Sequence, residues 1–153
     1  MKLTSGAARW QSLPELLVDS AARRSDSVAM VSPTETTSYG ELFSDALSLA
    51  DRLAPARGQL VAVALPKSRD LVVAWLGCWL AGAAFSTLDP SLPRARAMGI
   101  LERLRPRLLL RGAGEPAVAA AGSQSSRSAI TSTHGRHPIG MKRFGAPDVS
   151  PRS

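Results

Sequence analysis

The chain has 153 residues, 44% hydrophobic and 20% charged, with a formal charge of +7, which allows one domain and excludes a chain disordered throughout. One cysteine, Cys78, excludes an internal disulfide framework and a cysteine-based zinc site. The longest uncharged apolar run, residues 71–85, is too short and too rich in Gly and Ala to be read as a membrane span.

Charge divides the chain in two. Residues 1–89 carry 8 Lys/Arg against 9 Asp/Glu, a balance of −1, whereas residues 90–153 carry 11 against 3, a balance of +8. The first 24 residues lack an apolar core of signal-peptide length, and Glu15 and Asp19 speak against an acid-poor transit peptide. A lone thiol also suits a reducing compartment, so a cytoplasmic location is expected.

From Ser12 the pattern is helical. Leu13, Leu16, Leu17, Ser20 and Ala21 recur at three- and four-residue spacing, Ser12 with Glu15 makes a capping box, and Asp26 closes the segment. Residues 28–31 and 36–39 read as two short strands or a hairpin around Ser32-Pro33, and Gly40 reads as a breaker. A helix follows over 41–53, with Leu42, Ala46, Leu49, Ala50 and Leu53 on one face, widened by Phe43 and Leu47. Glu41, Asp45, Ser48 and Asp51 are expected to face water. Pro55 and Gly58 end it.

Residues 60–65 (LVAVAL) form an unbroken apolar run of the kind buried on both faces of a parallel sheet. Ser68 can cap a helix from Arg69 to about Leu80, with Val72, Trp75, Leu76, Trp79 and Leu80 as its buried stripe and Gly82 as its stop. Residues 84–88 read as the next strand and 93–104 as a basic helix with Met98, Leu101 and Leu104 inward. Pro106 ends that helix and residues 107–110 read as a third strand. Strand, helix, strand, helix, strand with short connections predicts an α/β fold, a layered parallel-type sheet with covering helices. Residues 112–153 are rich in Gly, Ala, Ser and Pro without an apolar period, and read as a disordered tail with one helical turn at most, near 117–121.

Candidate chemistry is sparse. Cys78 lies between Trp75 and Trp79, where an apolar site raises a thiol's pKa and makes it inert. Lys67-Ser68-Arg69 at a helix N-terminus could hold an anion through backbone amides, against the plainer reading of a solvated cap. Arg94, Arg96, Arg103, Arg105, Arg107 and Arg111 make a basic stretch, but no aromatic residues interleave with them and a proline divides them. A solvated face is favoured over nucleic-acid binding. His134 and His137 have no nearby carboxylate or cysteine to complete a metal site.

Two segments carry a resemblance. Thr37-Ser38-Tyr39-Gly40-Glu41-Leu42 with the following helix resembles the first core motif of the adenylate-forming (AMP-binding) ligases. That superfamily includes nonribosomal peptide synthetase adenylation domains, acyl-CoA synthetases and luciferases. Leu80-Ala81-Gly82-Ala83-Ala84-Phe85-Ser86-Thr87-Leu88-Asp89-Pro90-Ser91-Leu92-Pro93 resembles the second, most closely in its peptide-synthetase form. The resemblance covers about residues 12–111 and implies part of the large N-terminal domain of such an enzyme, with 112–153 as a basic tail. Both motifs are structural in that family. Its chemistry, adenylation of a carboxylate by ATP and magnesium, relies on a Gly/Ser/Thr-rich phosphate loop and on later segments.

Thr131-Ser132-Thr133-His134-Gly135-Arg136-His137-Pro138-Ile139-Gly140 echoes the phosphate loop, with the early glycine absent and Ile139 where the family has lysine. The resemblance therefore implies a fragment of an amino- or acyl-acid-activating ligase that is inactive alone. No catalytic, cofactor-binding or metal residue is assigned in it, and neither ATP nor magnesium is expected to be held by it. Expected partners are the remainder of a split ligase or a homologous synthetase; neither a membrane nor nucleic acid is expected. A non-catalytic module pairing with a ligase subunit is the alternative. Sheet edges and faces made to be covered by further elements predict marginal folding, aggregation or dependence on such a partner.

Overall fold

Local capping and breaking signals set most element boundaries. The computed structural model describes residues 12–112, 128–130 and 139–143. Helix α1 spans Leu13–Arg23, where the Glu15 carboxylate accepts the Ser12 N–H at 2.9 Å. Strands β1 (Val28–Val31) and β2 (Thr36–Ser38) form an antiparallel hairpin separate from the main sheet.

Helix α2 spans Tyr39–Leu53 and begins two residues before the sequence pattern places it. The reason is a second capping box: the Ser38 N–H donates to Glu41 Oε2 at 2.9 Å, and the Glu41 N–H donates to Ser38 Oγ at 3.2 Å. Gly40 is thus no breaker. It sits in the first helical turn, where its N–H donates to the Ser25 carbonyl at 2.8 Å and a Cβ would stand 3.1 Å from that oxygen.

After a short 3₁₀ turn, Ala54–Ala56, come β3 (Leu60–Ala64), α3 (Arg69–Ala81), β4 (Ala84–Thr87), α4 (Arg94–Leu104) and β5 (Leu108–Gly112). Gly82 ends α3 in the left-handed conformation, φ +69°. Arg105 ends α4 in the same region, φ +47°, because Pro106 bars the preceding residue from continuing the helix. Strands β6 (Ser128–Ile130) and β7 (Ile139–Arg143) complete a five-stranded sheet of order β4-β3-β5-β7-β6.

Strand β3 pairs in parallel with β4 and with β5, as the alternation of strands and helices predicts. The remaining pairings, β5 with β7 and β7 with β6, are antiparallel, so the sheet is mixed. Of the described residues beyond β5, Ile139 is buried in the main core. The turn anticipated near 117–121 lies outside the described residues.

Residue alternation along β3 sorts the core into two layers. Val61, Val63 and Leu65 join Leu108 and Leu110 of β5 beneath α2 and α3. Ala62 and Ala64 join Leu88, Leu101 and Leu109 beneath α4. Of the residues expected inward on α4, Leu101 is buried and Met98 packs against the same layer, whereas Leu104 is exposed and Ala97 is buried instead.

The α2–α3 contact departs furthest from pattern-based expectation. Helix α3 is apolar around nearly its whole circumference, so periodicity does not select a face. The buried residues are Leu71, Val73, Ala74, Leu76, Gly77, Cys78 and Ala81, while Trp79 is exposed and Val72, Trp75 and Leu80 are half-buried. Small side chains allow α2 to approach, and Leu49 of α2 sits directly against Gly77. Asp45, expected to face water, is buried and bonds Arg69 at 2.7 Å, so the α2–α3 packing includes an ion pair. Leu47, expected to widen the buried face, is exposed.

Two outcomes follow. A Cβ at Gly77 would lie 2.9 Å from both Cδ2 and Cγ of Leu49. Gly77→Ala therefore lowers unfolding free energy in urea by about 1–3 kcal/mol from overpacking, outweighing a helix-propensity gain of about 1 kcal/mol. Asp45→Asn leaves the largely buried Arg69 guanidinium without its carboxylate, and chemical denaturation registers a loss of about 2–3 kcal/mol.

Candidate functional site

Parallel strands bring their C-terminal ends to one edge of the sheet, and in open α/β sheets that edge is where ligands bind. Here Pro66, Lys67 and Ser68 follow β3, Leu88 to Pro93 follow β4, and Gly112 ends β5. Strand β7 enters beside them: Ile139 pairs with Gly112 on one side and with Ile130 on the other. Residues 131–138, with His134 and His137, lie outside the described ones.

The Lys67-Ser68-Arg69 segment does not present itself as an anion site. The Arg69 guanidinium is drawn back onto Asp45. Ser68 has the extended geometry of an N-cap, but its hydroxyl donates to the Pro66 carbonyl at 3.2 Å and makes no cap bond, contrary to the capping role expected of it. A cleft of about 250 Å³ opens here, lined by Lys67, Ser68, Arg69 and Asp70 with Met30, Ser32, Thr34, Glu35 and Thr37 of the hairpin. Charges of both signs line it, which favours neither an anion nor a cation.

Across the same edge, Asp89 is held by Ser91. Its Oδ1 accepts the Ser91 hydroxyl at 2.7 Å and the Ser91 N–H at 2.8 Å. The hydroxyl bond, then the amide bond, hold the carboxyl below the ordinary carboxylate range, helped by the charge of Lys67. Asp89 is fully exposed and fixes the turn into α4. An Asp-Pro-Ser sequence after a strand is the signal that reveals such a turn without coordinates.

Cys78 is buried inside α3, and burial pushes its thiol up to about 12. The basic stretch is dispersed: Arg94, Arg96, Arg103 and Arg105 are exposed along and just beyond α4, whereas Arg107 and Arg111 are half-buried at β5. Among the described residues no group of three or more His, Cys, Asp or Glu could hold a metal ion. Among the described residues, too, no helix is long and apolar enough to cross a membrane.

At the position where the resemblance places a phosphate-loop lysine stands Ile139, buried against the α2–α3 core. Gly140 follows within β7, opposite Arg111. The end of the echoing segment thus serves the sheet.

Known proteins match this arrangement. The family described as AMP-binding enzyme matches residues 17–144. An isonitrile lipopeptide synthase of Streptomyces coeruleorubidus is 45% identical over 98 residues, which are 62% of this chain and 7% of that protein. A solved four-domain nonribosomal peptide synthetase, bound to AMP and glycine, superposes with a TM-score of 0.61 at 31% identity, covering 67% of this chain and 8% of that one. The N-terminal subdomain of NpsA from Klebsiella oxytoca shares the fold, with a TM-score of 0.64 at 21% identity over 72% of this chain and 30% of that one. The chain thus spans less than a tenth of the two synthetase relatives.

Burial of Cys78 has a measurable signature. The folded protein resists thiol reagents at pH 8, and denaturant exposes one reactive thiol per chain. Between the ordinary value of 9.0 and about 12 the unfolded chain loses the thiol proton while the folded chain keeps it. Stability contributed by the neutral thiol is therefore complete below pH 9 and falls as pH rises through that window. Denaturation midpoints recorded against pH fall less steeply there for Cys78→Ala than for the wild type.

Proposed function

The chain belongs to the AMP-binding enzyme family, and on that premise we propose that it is the first α/β layer of an adenylation unit of the nonribosomal peptide synthetase kind. In that reading the complete unit activates an amino or acyl acid by transferring AMP from ATP to the carboxylate, with pyrophosphate leaving. These 153 residues supply the scaffold, and the remainder of a split ligase or a homologous synthetase supplies the acid pocket and the catalytic groups. The chain by itself is catalytically silent.

The observation that carries this reading is the burial of Ile139. A phosphate loop stabilises transferred charge with backbone amides and a lysine ammonium. A buried isoleucine at the matching position provides no ammonium, and its side chain anchors β7 to the core instead. The lack of an assembled cation at Lys67-Ser68-Arg69 supports the same conclusion, since Arg69 is already committed to Asp45.

ATP–pyrophosphate exchange with a mixture of amino and aryl acids, run beside calorimetric titration with ATP and magnesium, tests the proposal. Neither exchange nor heat beyond dilution is expected from the folded chain. Saturable binding assigns a working phosphate loop to 131–140, and exchange above background overturns catalytic silence.

A further inference from the structure

The cleft between the β1–β2 hairpin and the start of α3 holds a hydroxyl that the fold does not use. Met30 and Thr37 are opposite each other in the hairpin, so their side chains share one face of it, and both residues line the cleft. Only 3% of Thr37 is exposed, yet among the described residues its Oγ1 has no hydrogen-bond partner. Among those residues, too, no side-chain oxygen is both sealed from solvent and unpartnered. The Thr37 oxygen therefore reaches open space, and the space beside it is the cleft of about 250 Å³. A buried hydroxyl left open in this way is a group that a bound polar molecule would satisfy.

The walls of the cleft carry opposite charges. On the hairpin side, Glu35 holds its loop through the backbone: its carbonyl accepts the Ser32 N–H at 2.8 Å and its own N–H donates to Ser32 Oγ at 3.1 Å. Among the described residues the Glu35 carboxylate has neither a hydrogen bond nor an ion pair. On the α3 side, the exposed Lys67 ammonium has neither as well. The leading N–H groups of α3 have no helical acceptor, and the Ser68 hydroxyl does not cap them. Arg69 is neutralised by Asp45, and Asp70 brings a negative charge to this wall.

We propose that the cleft binds a small zwitterion, with its carboxylate at Lys67 and the start of α3 and its ammonium at Glu35. Thr37 Oγ1 bonds it from the floor, and a short methylene stem lies against Met30. The charge arrangement selects that class. A lone anion at Lys67 meets the carboxylates of Glu35 and Asp70, and a lone cation at Glu35 meets the Lys67 ammonium and the positive end of α3. One molecule carrying both charges satisfies both walls. The volume lies just below the range of drug-sized sites, so the ligand is small. The proposal is independent of the adenylation reading, which assigns the acid pocket to a different part of the unit.

Nuclear magnetic resonance of the ¹⁵N-labelled chain, titrated with β-alanine, 4-aminobutyrate and 6-aminohexanoate, tests the site. At least one of the three is expected to give saturable shifts at the amides of residues 32–37 and 67–71. Butyrate and butylamine, each lacking one charge, are expected to bind about tenfold more weakly or worse. Thr37→Val removes the hydroxyl at nearly constant volume and is expected to weaken binding about threefold to tenfold. Glu35→Gln keeps the backbone bonds of the loop and is expected to erase the preference for 4-aminobutyrate over butyrate. Should Thr37→Val fail to fold, Glu35→Gln decides alone. The proposal is overturned if no zwitterion shifts these amides saturably, which leaves the cleft to solvent. It is equally overturned if butyrate or butylamine binds as well as the zwitterion, or if Glu35→Gln keeps the wild-type preference.

Discussion

Strand β3 has no free surface, and most of the molecule is arranged around that fact. Parallel neighbours occupy both of its edges, helices cover both of its faces, and Val61, Ala62 and Val63 are fully buried. A strand enclosed in this way cannot carry a polar residue without leaving it unsatisfied, which is why LVAVA reads as an unbroken apolar run. Its alternation also sets unequal layers. Valines face the α2–α3 side, where large leucines fill the space, and alanines face the α4 side, where Leu88, Leu101 and Leu109 complete the layer.

The larger layer depends in turn on how closely α2 and α3 approach. Gly77 gives Leu49 its place, and the same packing brings Arg69 onto Asp45. A buried ion pair of this kind adds little net stability over an apolar pair, but one partner without the other is costly. The pairing therefore acts on register: α3 cannot rotate without separating Arg69 from Asp45 or driving Gly77 away from Leu49. With α3 held in that rotation, Trp75 and Trp79 are turned to the outer margin, over β4.

The sheet edge at which the parallel strands end is constrained by these same contacts. Arg69 is occupied, Ser68 turns to its own loop, Asp89 is locked by Ser91, and Ile139 is drawn into the core. Each of these side chains is engaged in holding the fold. Membership of the AMP-binding enzyme family accounts for the architecture.

Much of this was legible without coordinates, and the exceptions have one physical origin. Element order, the parallel core, the stop at Gly82 and the inert thiol of Cys78 all rest on local or one-dimensional signals: turn residues, run length and the company a residue keeps. No site residue was assigned from sequence, and the candidate anion segment dissolved because its arginine finds a partner 24 positions earlier in the chain. Asp45, the rotation of α3 and the recruitment of β6 and β7 were likewise invisible. Each depends on a neighbour distant in sequence, and an apolar helix or a Ser/Gly-rich segment carries no period that names that neighbour. Up to β5 the sequence by itself determined which segments become strands and helices, because backbone propensity and burial period are properties of short windows. Tertiary structure alone decided which face of α3 is inside and which strands join the sheet beyond β5, because those depend on what packs against them.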